Sequence, residues 1–126
     1  MLTDKAVLIV EDNVYLSVDL SAAVEELEGR VIGPVCSVAD ALLILDTELV
    51  SAAILDCELP DSQVTPVARR LVEKGVPYVI HTGTVVPQAL TLLCPGAPVL
   101  MKPIKPMQVV ATLADHVAQS GKSDET

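Results

Sequence analysis

The strongest constraint on the fold of this chain is a hydrophobic run that ends on an acid. Residues Ala52 to Leu55 carry no charge and no polar alternation, and Asp56 follows them directly. A strand without alternation is typical of the centre of a parallel sheet that is covered on both faces. In an open α/β sheet, ligand crevices lie at the carboxyl ends of the strands. The run therefore predicts a buried strand that presents the Asp56 carboxylate at the rim of a site.

Three other apolar runs also end in chemically useful side chains. The run from Ala6 to Val10 is followed by Glu11 and Asp12. The run from Tyr78 to Ile80 is followed by His81 and Thr82, and the run from Val99 to Met101 is followed by Lys102 and Pro103. Because the carboxyl ends of parallel strands meet at one edge of a sheet, we expect the acids, the hydroxyl and the ammonium to lie close to Asp56.

Helical segments alternate with these strands. Asn13 and Ser37 favour helix N-termini, and Gly29 and Gly75 favour helix ends. The predicted helices cover about 14–28, 38–48, 66–74, 87–93 and 106–119, and one further strand covers 30–35. Such alternation predicts a doubly wound α/β fold, in which a five-stranded parallel sheet has helices on both faces. Prolines in the segment 84–98 limit the fourth helix to a short or degenerate one.

Length and composition indicate one domain with an aliphatic core. The chain has 126 residues, of which 51% are hydrophobic, but it contains no Phe or Trp and only two Tyr. We expect a single domain over residues 1–120 and a flexible tail over 121–126. Acidic residues outnumber basic ones, 17 to 8, for a net charge of −9. This charge argues against a nucleic-acid-binding surface, which needs clustered Lys and Arg.

The cysteines and the amino terminus favour the cytoplasm. The three cysteines form no CxxC pair, which argues against a disulfide framework and a zinc site. We expect no signal peptide, because the amino terminus lacks a basic segment followed by an apolar core. The segment 76–101 has no charged residue, but prolines and glycines divide it into pieces too short to span a bilayer. We therefore expect no membrane insertion.

The residues after the first strand indicate metal binding rather than dinucleotide binding. A dinucleotide site needs a glycine-rich turn at this point, whereas this chain has Glu11 and Asp12. Carboxylates there suit a hard divalent cation such as Mg²⁺. Asp56 beside that cation is a candidate nucleophile that would form an acyl phosphate. Thr82 and Lys102 could bind the phosphoryl oxygens, and no general base is needed.

Taken together, these features resemble the receiver domain of two-component response regulators over residues 5–119. The matching residues, in order, are Glu11 and Asp12, then Asp56 with Pro60 behind it, then Thr82, and finally Lys102 followed by Pro103. The resemblance implies a flavodoxin-like, CheY-like sheet in the order 2-1-3-4-5, with Asp56 as the phosphoacceptor.

The resemblance also implies roles for the residues of the site. The residues that would hold Mg²⁺ are Glu11, Asp12, Asp56 and, through its backbone carbonyl, Glu58. Thr82 and Lys102 would contact the phosphoryl group, and the peptide bond between Lys102 and Pro103 would be cis. The phosphoryl donor would be a histidine kinase or a histidine phosphotransfer protein.

The chain departs from the family pattern at three places: the switch-aromatic position, the mouth of the site and the segment that contains the fourth helix. Val99 occupies the position of the usual switch aromatic, so no ring can turn inward there. The Glu58 side chain stands at the mouth of the site, where we expect it to modulate metal affinity and attack by hydrolytic water. The segment 82–102 is short and resembles that of a proteobacterial subgroup of receivers that are often stand-alone. We expect exposed apolar surface and a homodimer or partner contact through residues 84–101 and the last helix.

Three other side chains with reactive groups are interpreted as structural. His81 is expected to be a packed or half-exposed histidine rather than a phosphohistidine, and His116 is expected at the surface. Cys57 adjoins Asp56, but neighbouring side chains at a strand end point apart, and nearby acids raise the pKa of a thiol. We therefore expect Cys57 to be inert.

The leading functional hypothesis is a stand-alone, cytoplasmic phosphoacceptor. It would not be an enzyme toward another substrate, although it could catalyse its own phosphorylation and dephosphorylation. With no room for an output domain, it would bind partners, relay its phosphoryl group or act as a phosphate sink. The alternative, favoured by Val99 and the degenerate fourth helix, is a receiver-fold interaction module that signals without phosphorylation. A third hypothesis, a small-molecule enzyme of flavodoxin-like fold, lacks a phosphate loop and a general base.

Overall fold

Strands and helices alternate along the chain, as the sequence predicts. The computed structural model describes residues 1–124, with side chains up to Ser120. The strands are β1 (Ala6–Val10), β2 (Arg30–Val35), β3 (Ala52–Leu55), β4 (Tyr78–Thr82) and β5 (Val99–Met101). The helices are α1 (Val14–Glu26), α2 (Val38–Thr47), α3 (Thr65–Glu73), α4 (Gln88–Leu93) and α5 (Pro106–Asp124).

The sheet has the predicted flavodoxin-like topology. All five strands are parallel and lie in the order β2-β1-β3-β4-β5. β3 is the central strand, paired with β1 on one side and β4 on the other, and all of its residues are buried. A strand that is covered on both faces has no solvent side for polar residues, which explains its unbroken hydrophobic sequence.

The core forms two layers, one on each face of the sheet. One layer packs against α2, α3 and α4 and includes Leu55 and Leu90. The other packs against α1 and α5 and includes Ile9 and Leu113. Tyr78, 1% exposed, is the aromatic residue of this core. The remaining core residues are aliphatic, as the composition requires.

The first two helices are capped by the residues that the sequence indicates. The Asn13 side chain accepts a hydrogen bond from the backbone N–H of Leu16 at 3.1 Å, which caps α1. The Ser37 hydroxyl accepts one from the N–H of Asp40, also at 3.1 Å, which caps α2. The fourth helix is short, as predicted, with six residues.

The last helix is longer than predicted. α5 continues to Asp124 instead of ending near Gln119, and its final turns contain no proline to stop it. The end of the predicted flexible tail, residues 125 and 126, lies outside the described residues. Although α5 has 19 residues, neither it nor any other helix within residues 1–124 has the length and apolar character needed to cross a bilayer.

Candidate functional site

The carboxyl ends of four strands meet at one edge of the sheet. Glu11 follows β1, Asp56 follows β3, Thr82 ends β4 and Lys102 follows β5. Backbone hydrogen bonds extend the sheet past the strands themselves. The N–H of Asp56 donates to the carbonyl of Val10 at 2.9 Å, and that of Lys102 donates to the carbonyl of Thr82 at 2.8 Å. The sheet therefore fixes where these side chains leave the backbone.

Three carboxylates form an acidic cluster at this edge. One oxygen each from Glu11, Asp12 and Asp56 lies within 4.8 Å of the other two. Glu11 and Asp56 are only 3% and 2% exposed, whereas Asp12 faces solvent. Two buried acids side by side are unfavourable unless a cation or a proton compensates their charge.

The Lys102 ammonium supplies part of that compensation. Its Nζ donates a hydrogen bond to Asp56 Oδ2 at 3.2 Å and lies 3.0 Å from Glu11 Oε1. Burial by itself lowers the pKa of Lys102, but the neighbouring Glu11 and Asp56 carboxylates raise it above its ordinary value, so the side chain stays charged. The peptide bond between Lys102 and Pro103 is cis, as the resemblance implies.

Glu11 retains a buried oxygen that could accept a cation. Its Oε2 accepts a hydrogen bond from the N–H of Asn13 at 3.1 Å. Its Oε1 has no partner of hydrogen-bonding geometry among the described residues. Burial, reinforced by the neighbouring Asp56, raises the pKa of Glu11 to about 7. An incompletely compensated buried oxygen beside two further carboxylates fits a hard divalent cation such as Mg²⁺.

His81 lies beside Glu11 but adds no charge to the cluster. It is 1% exposed, and its Nδ1 is 4.0 Å from Glu11 Oε1, which is too far for a hydrogen bond. Neither ring nitrogen has a hydrogen-bond partner within the described part of the chain. Burial chiefly, and then Lys102, lowers the pKa of His81, which keeps the imidazole neutral. The prediction of a packed histidine is confirmed.

The Thr82 hydroxyl is engaged by its own loop. Thr82 is fully buried, and its hydroxyl accepts a hydrogen bond from the backbone N–H of Thr84 at 3.2 Å. The two hydroxyl oxygens are also 3.2 Å apart. Because a hydroxyl that accepts the Thr84 N–H can still donate its own proton, the contact that competes with a further oxygen is the one between the two hydroxyls.

The loop after β3 is bonded to Asp56. The N–H of Glu58 donates to Asp56 Oδ1 at 3.0 Å, so the two Asp56 oxygens are held by different groups. Glu58 also pairs with Gln63 in an isolated antiparallel bridge, which closes the loop into a turn. The Glu58 side chain is exposed. The predicted site thus has the Glu58 backbone next to Asp56, with the Glu58 carboxylate in solvent.

Asp61, at the tip of this turn, makes a contact that the sequence does not predict. The Asp61 carboxylate accepts hydrogen bonds from the N–H groups of Val38 at 3.0 Å and Ala39 at 3.2 Å, at the start of α2. These bonds, that from Val38 most, lower the pKa of Asp61. The sequence indicates only a polar turn here, because 23 residues separate Asp61 from Val38.

The other predicted residues lie around the cluster. Cys57 is half-buried, and burial is the main reason that its pKa is raised, which agrees with an inert thiol. The sequence predicts His116 at the surface, but it is half-buried in α5, and burial lowers its pKa. Val99, in β5, is 45% exposed.

Three solved structures illustrate the similarity of this chain to known proteins. A CheY-like response regulator receiver domain protein from Methanospirillum hungatei JF-1 matches with a TM-score of 0.84 and 20% identity, covering 98% of this chain and 99% of that one. The receiver domain of a sensor histidine kinase from Pseudomonas aeruginosa PAO1 matches with a TM-score of 0.73 and 23% identity, covering 90% and 98%. Its structure has a magnesium ion coordinated in the active site cleft.

A response regulator protein from Burkholderia pseudomallei matches with a TM-score of 0.75 and 19% identity, covering 96% of this chain and 73% of that one. Its structure contains a phosphorylated aspartic acid, a calcium ion and citrate. No protein-family model and no curated protein matches the chain. At identities of 19–23% these likenesses establish architecture. The chain has the CheY-like fold of response regulator receiver domains.

Proposed function

We propose that this chain is a single-domain response regulator whose Asp56 accepts a phosphoryl group from a histidine kinase or a histidine phosphotransfer protein. The observation that most directly supports this is the buried Asp56 carboxylate, which lies 3.2 Å from Lys102 and beside Glu11 and Asp12. Phosphoryl transfer depends mainly on positioning and on charge neutralisation. The protein would be a phosphoacceptor rather than an enzyme that acts on a separate substrate.

The acidic cluster would hold Mg²⁺. Its ligands would be the carboxylates of Glu11, Asp12 and Asp56 and the backbone carbonyl of Glu58. When bound, the ion would offset the negative charge of the incoming phosphoryl group. The magnesium ion in the Pseudomonas domain and the phosphorylated aspartic acid in the Burkholderia protein support this proposal, because both proteins share the fold.

The side chains around Asp56 would each have a separate role in phosphoryl transfer. A carboxylate oxygen of Asp56 would form a bond to phosphorus while the bond from phosphorus to the donor's imidazole nitrogen breaks. Lys102, whose Nζ bonds Asp56 Oδ2, would stabilise the charge on the phosphoryl oxygens. The Thr82 hydroxyl would donate a hydrogen bond to one of these oxygens after leaving Thr84.

The donor would dock on α1, next to the acidic cluster. Val14, Tyr15 and Val18 are 69%, 85% and 60% exposed on this helix. Large apolar side chains left in solvent often mark a surface that another protein covers. Their position just after Asp12 would bring the donor close to Asp56.

After transfer, the protein would act in the cytoplasm by binding a partner, by relaying the phosphoryl group or by releasing it as a phosphate sink. It would contribute to its own phosphorylation and dephosphorylation through the same residues. The three cysteines, at positions 36, 57 and 94, are all free thiols. Free thiols agree with a reducing compartment.

A second surface supports self-association. The large apolar residues exposed within residues 84–101 are Val85, Leu92, Val99 and Met101, at 90%, 69%, 45% and 52%. No Asp, Glu, Lys or Arg occurs between positions 76 and 101, although the chain has a net charge of −9. Two copies of an acidic protein repel each other least when their charge-free segments face each other. We therefore include in the proposal a homodimer through residues 84–101 and α5.

A second candidate function is a receiver-fold module that signals by binding alone. Val99 favours it, because no aromatic ring is available at that position to follow a movement of Thr82. The contact between the Thr82 and Thr84 hydroxyls favours it as well, because the Thr82 proton can be donated to the Thr84 oxygen instead of to a phosphoryl oxygen.

One experiment separates the two functions. In the first assay, Mg²⁺ and beryllofluoride are added and chemical-shift changes are recorded by NMR. In the second, the protein is treated with acetyl phosphate and the mass of an added phosphoryl group is sought by mass spectrometry. We expect both responses in the wild type and in Asp115→Asn, which alters an exposed acid on α5, but neither in Asp56→Asn. A wild type that responds to neither reagent would exclude the phosphoacceptor and favour the binding module.

A further inference from the structure

A carboxylate from one loop closes the amino terminus of a helix that begins in another. The two oxygens of Asp61 accept hydrogen bonds from the first N–H groups of α2, those of Val38 at 3.0 Å and Ala39 at 3.2 Å. Ser37, the ordinary N-cap of this helix, already accepts a bond from the N–H of Asp40 at 3.1 Å. Asp61 is thus a second capping group, supplied from 23 residues away.

The same contact ties down the loop that follows Asp56. Within residues 57–63, Cys57 and Leu59 pack against the core but are only partly buried, and the other residues are exposed. Core packing therefore holds only part of the loop, and hydrogen bonds hold its exposed residues. Near its beginning, the Glu58 N–H bonds Asp56 Oδ1 at 3.0 Å and Glu58 pairs with Gln63. At its tip, the anchor is Asp61.

The Asp61 contact is suited to this purpose because it joins an anion to the positive end of a helix. Hydrogen bonds in which one partner is ionised are stronger than neutral ones, and the helix dipole adds a further attraction. The N–H donors also lower the pKa of Asp61, so its carboxylate is ionised at neutral pH.

We propose that Asp61 is a positioning residue that, by holding the loop against the start of α2, presets the Glu58 backbone as a ligand for the cation bound by the acidic cluster. The inference rests on the proposed function, but it assigns a role to a residue outside that cluster. If the Asp61 contact favours cation binding, cation binding must favour the Asp61 contact to the same extent. A bound cation therefore increases the protection of the Val38 and Ala39 N–H groups against hydrogen exchange.

The test compares Asp61→Ala with Ser37→Ala. Both substitutions remove one cap from α2, but only the first releases the loop after Asp56. Mg²⁺ affinity is measured by calorimetry, and hydrogen exchange of the Val38 and Ala39 amides is measured by NMR with and without Mg²⁺. We expect roughly a tenfold loss of Mg²⁺ affinity in Asp61→Ala, as for residues that support metal ligands, and less than about a twofold loss in Ser37→Ala.

Two further readouts exclude a purely structural role. Asp61→Asn, which keeps one acceptor oxygen, should give an intermediate loss. Saturating Mg²⁺ should slow exchange at Val38 and Ala39 by roughly the same tenfold factor in the wild type and in Ser37→Ala, but not in Asp61→Ala.

The outcomes separate this inference from the proposed function. If the wild type binds Mg²⁺ and Asp61→Ala binds it equally well, the positioning role is wrong and the proposed function stands. Equal losses in Asp61→Ala and Ser37→Ala would also overturn the role, because they would reflect the capping of α2 alone. A wild type that binds no Mg²⁺ would overturn the metal site itself, and the positioning role with it.

Discussion

The Thr82 hydroxyl accepts a hydrogen bond from the backbone N–H of Thr84 at 3.2 Å, and the two hydroxyl oxygens are 3.2 Å apart. A phosphoryl group on Asp56 competes with the Thr84 hydroxyl oxygen for the Thr82 proton. Thr84→Ala removes one of the two contacts, worth about 1 kcal/mol. We therefore expect this variant to bind beryllofluoride about fivefold more tightly in an NMR titration with Mg²⁺.

The matched control for this prediction is Thr84→Ser, which keeps the hydroxyl and should bind beryllofluoride like the wild type. An affinity in Thr84→Ala that is equal to or lower than that of the wild type would show that the hydroxyl pair does not oppose phosphoryl binding.

Mg²⁺ binding should weaken at acidic pH because of Glu11. Burial raises the pKa of this carboxyl from 4.5 to about 7, so a proton competes with the cation. The ionised fraction of such a group falls about tenfold between pH 8 and pH 6, and we expect the Mg²⁺ affinity measured by calorimetry to fall by a similar factor. The pH dependence should disappear in Glu11→Gln, and a dependence that persists there would assign it to another group.

The raised pKa of Glu11 also determines how the stability of the metal-free protein changes with pH. Because the folded state binds the Glu11 proton more tightly than the unfolded state, the free energy of unfolding should decrease as the pH rises from about 4.5 to about 7.

Asp56→Asn should stabilise the metal-free protein. Glu11 and Asp56 are both buried and share the Lys102 ammonium, so one negative charge is incompletely compensated. Removing the Asp56 charge leaves the pair of Glu11 and Lys102, and we expect the free energy of unfolding in urea to rise by about 1–2 kcal/mol at pH 8. The exposed Asp12 provides the control, since Asp12→Asn should have a smaller effect. A destabilised Asp56→Asn would mean that its hydrogen bonds outweigh the repulsion.

The proposed homodimer should depend on Leu92. This residue is 69% exposed on α4, within the charge-free segment. Leu92→Glu places a charge at the centre of the proposed contact and should give a monomer in sedimentation velocity. Leu43→Glu is the matched control, because Leu43 is 62% exposed on α2, away from β5, and its replacement should leave association unchanged. A wild type that remains monomeric at all concentrations, with and without beryllofluoride, would contradict the dimer.

The strand ends could be predicted because their signals are local. Asp56 and Lys102 each follow a short apolar run, and the parallel order of the strands then brings them together without further information. The Asp61 contact could not be predicted in this way, because it depends on how two loops pack across 23 residues. The approach of His81 to Glu11 has the same origin, since β3 lies between their strands and no sequence spacing encodes the 4.0 Å distance.

Tyr15 and Tyr78 are two tyrosines in opposite environments, one in solvent and one in the core. With no Trp in the chain, they account for its intrinsic fluorescence and most of its near-ultraviolet absorption. Tyr15 is 85% exposed on α1 beside Asp12, so its fluorescence anisotropy should change when a partner docks there. Tyr78 is 1% exposed, so its near-ultraviolet circular dichroism reports the packing of the core. Spectroscopy of the unlabelled protein can therefore distinguish a variant that has lost its partner from one that has lost its fold.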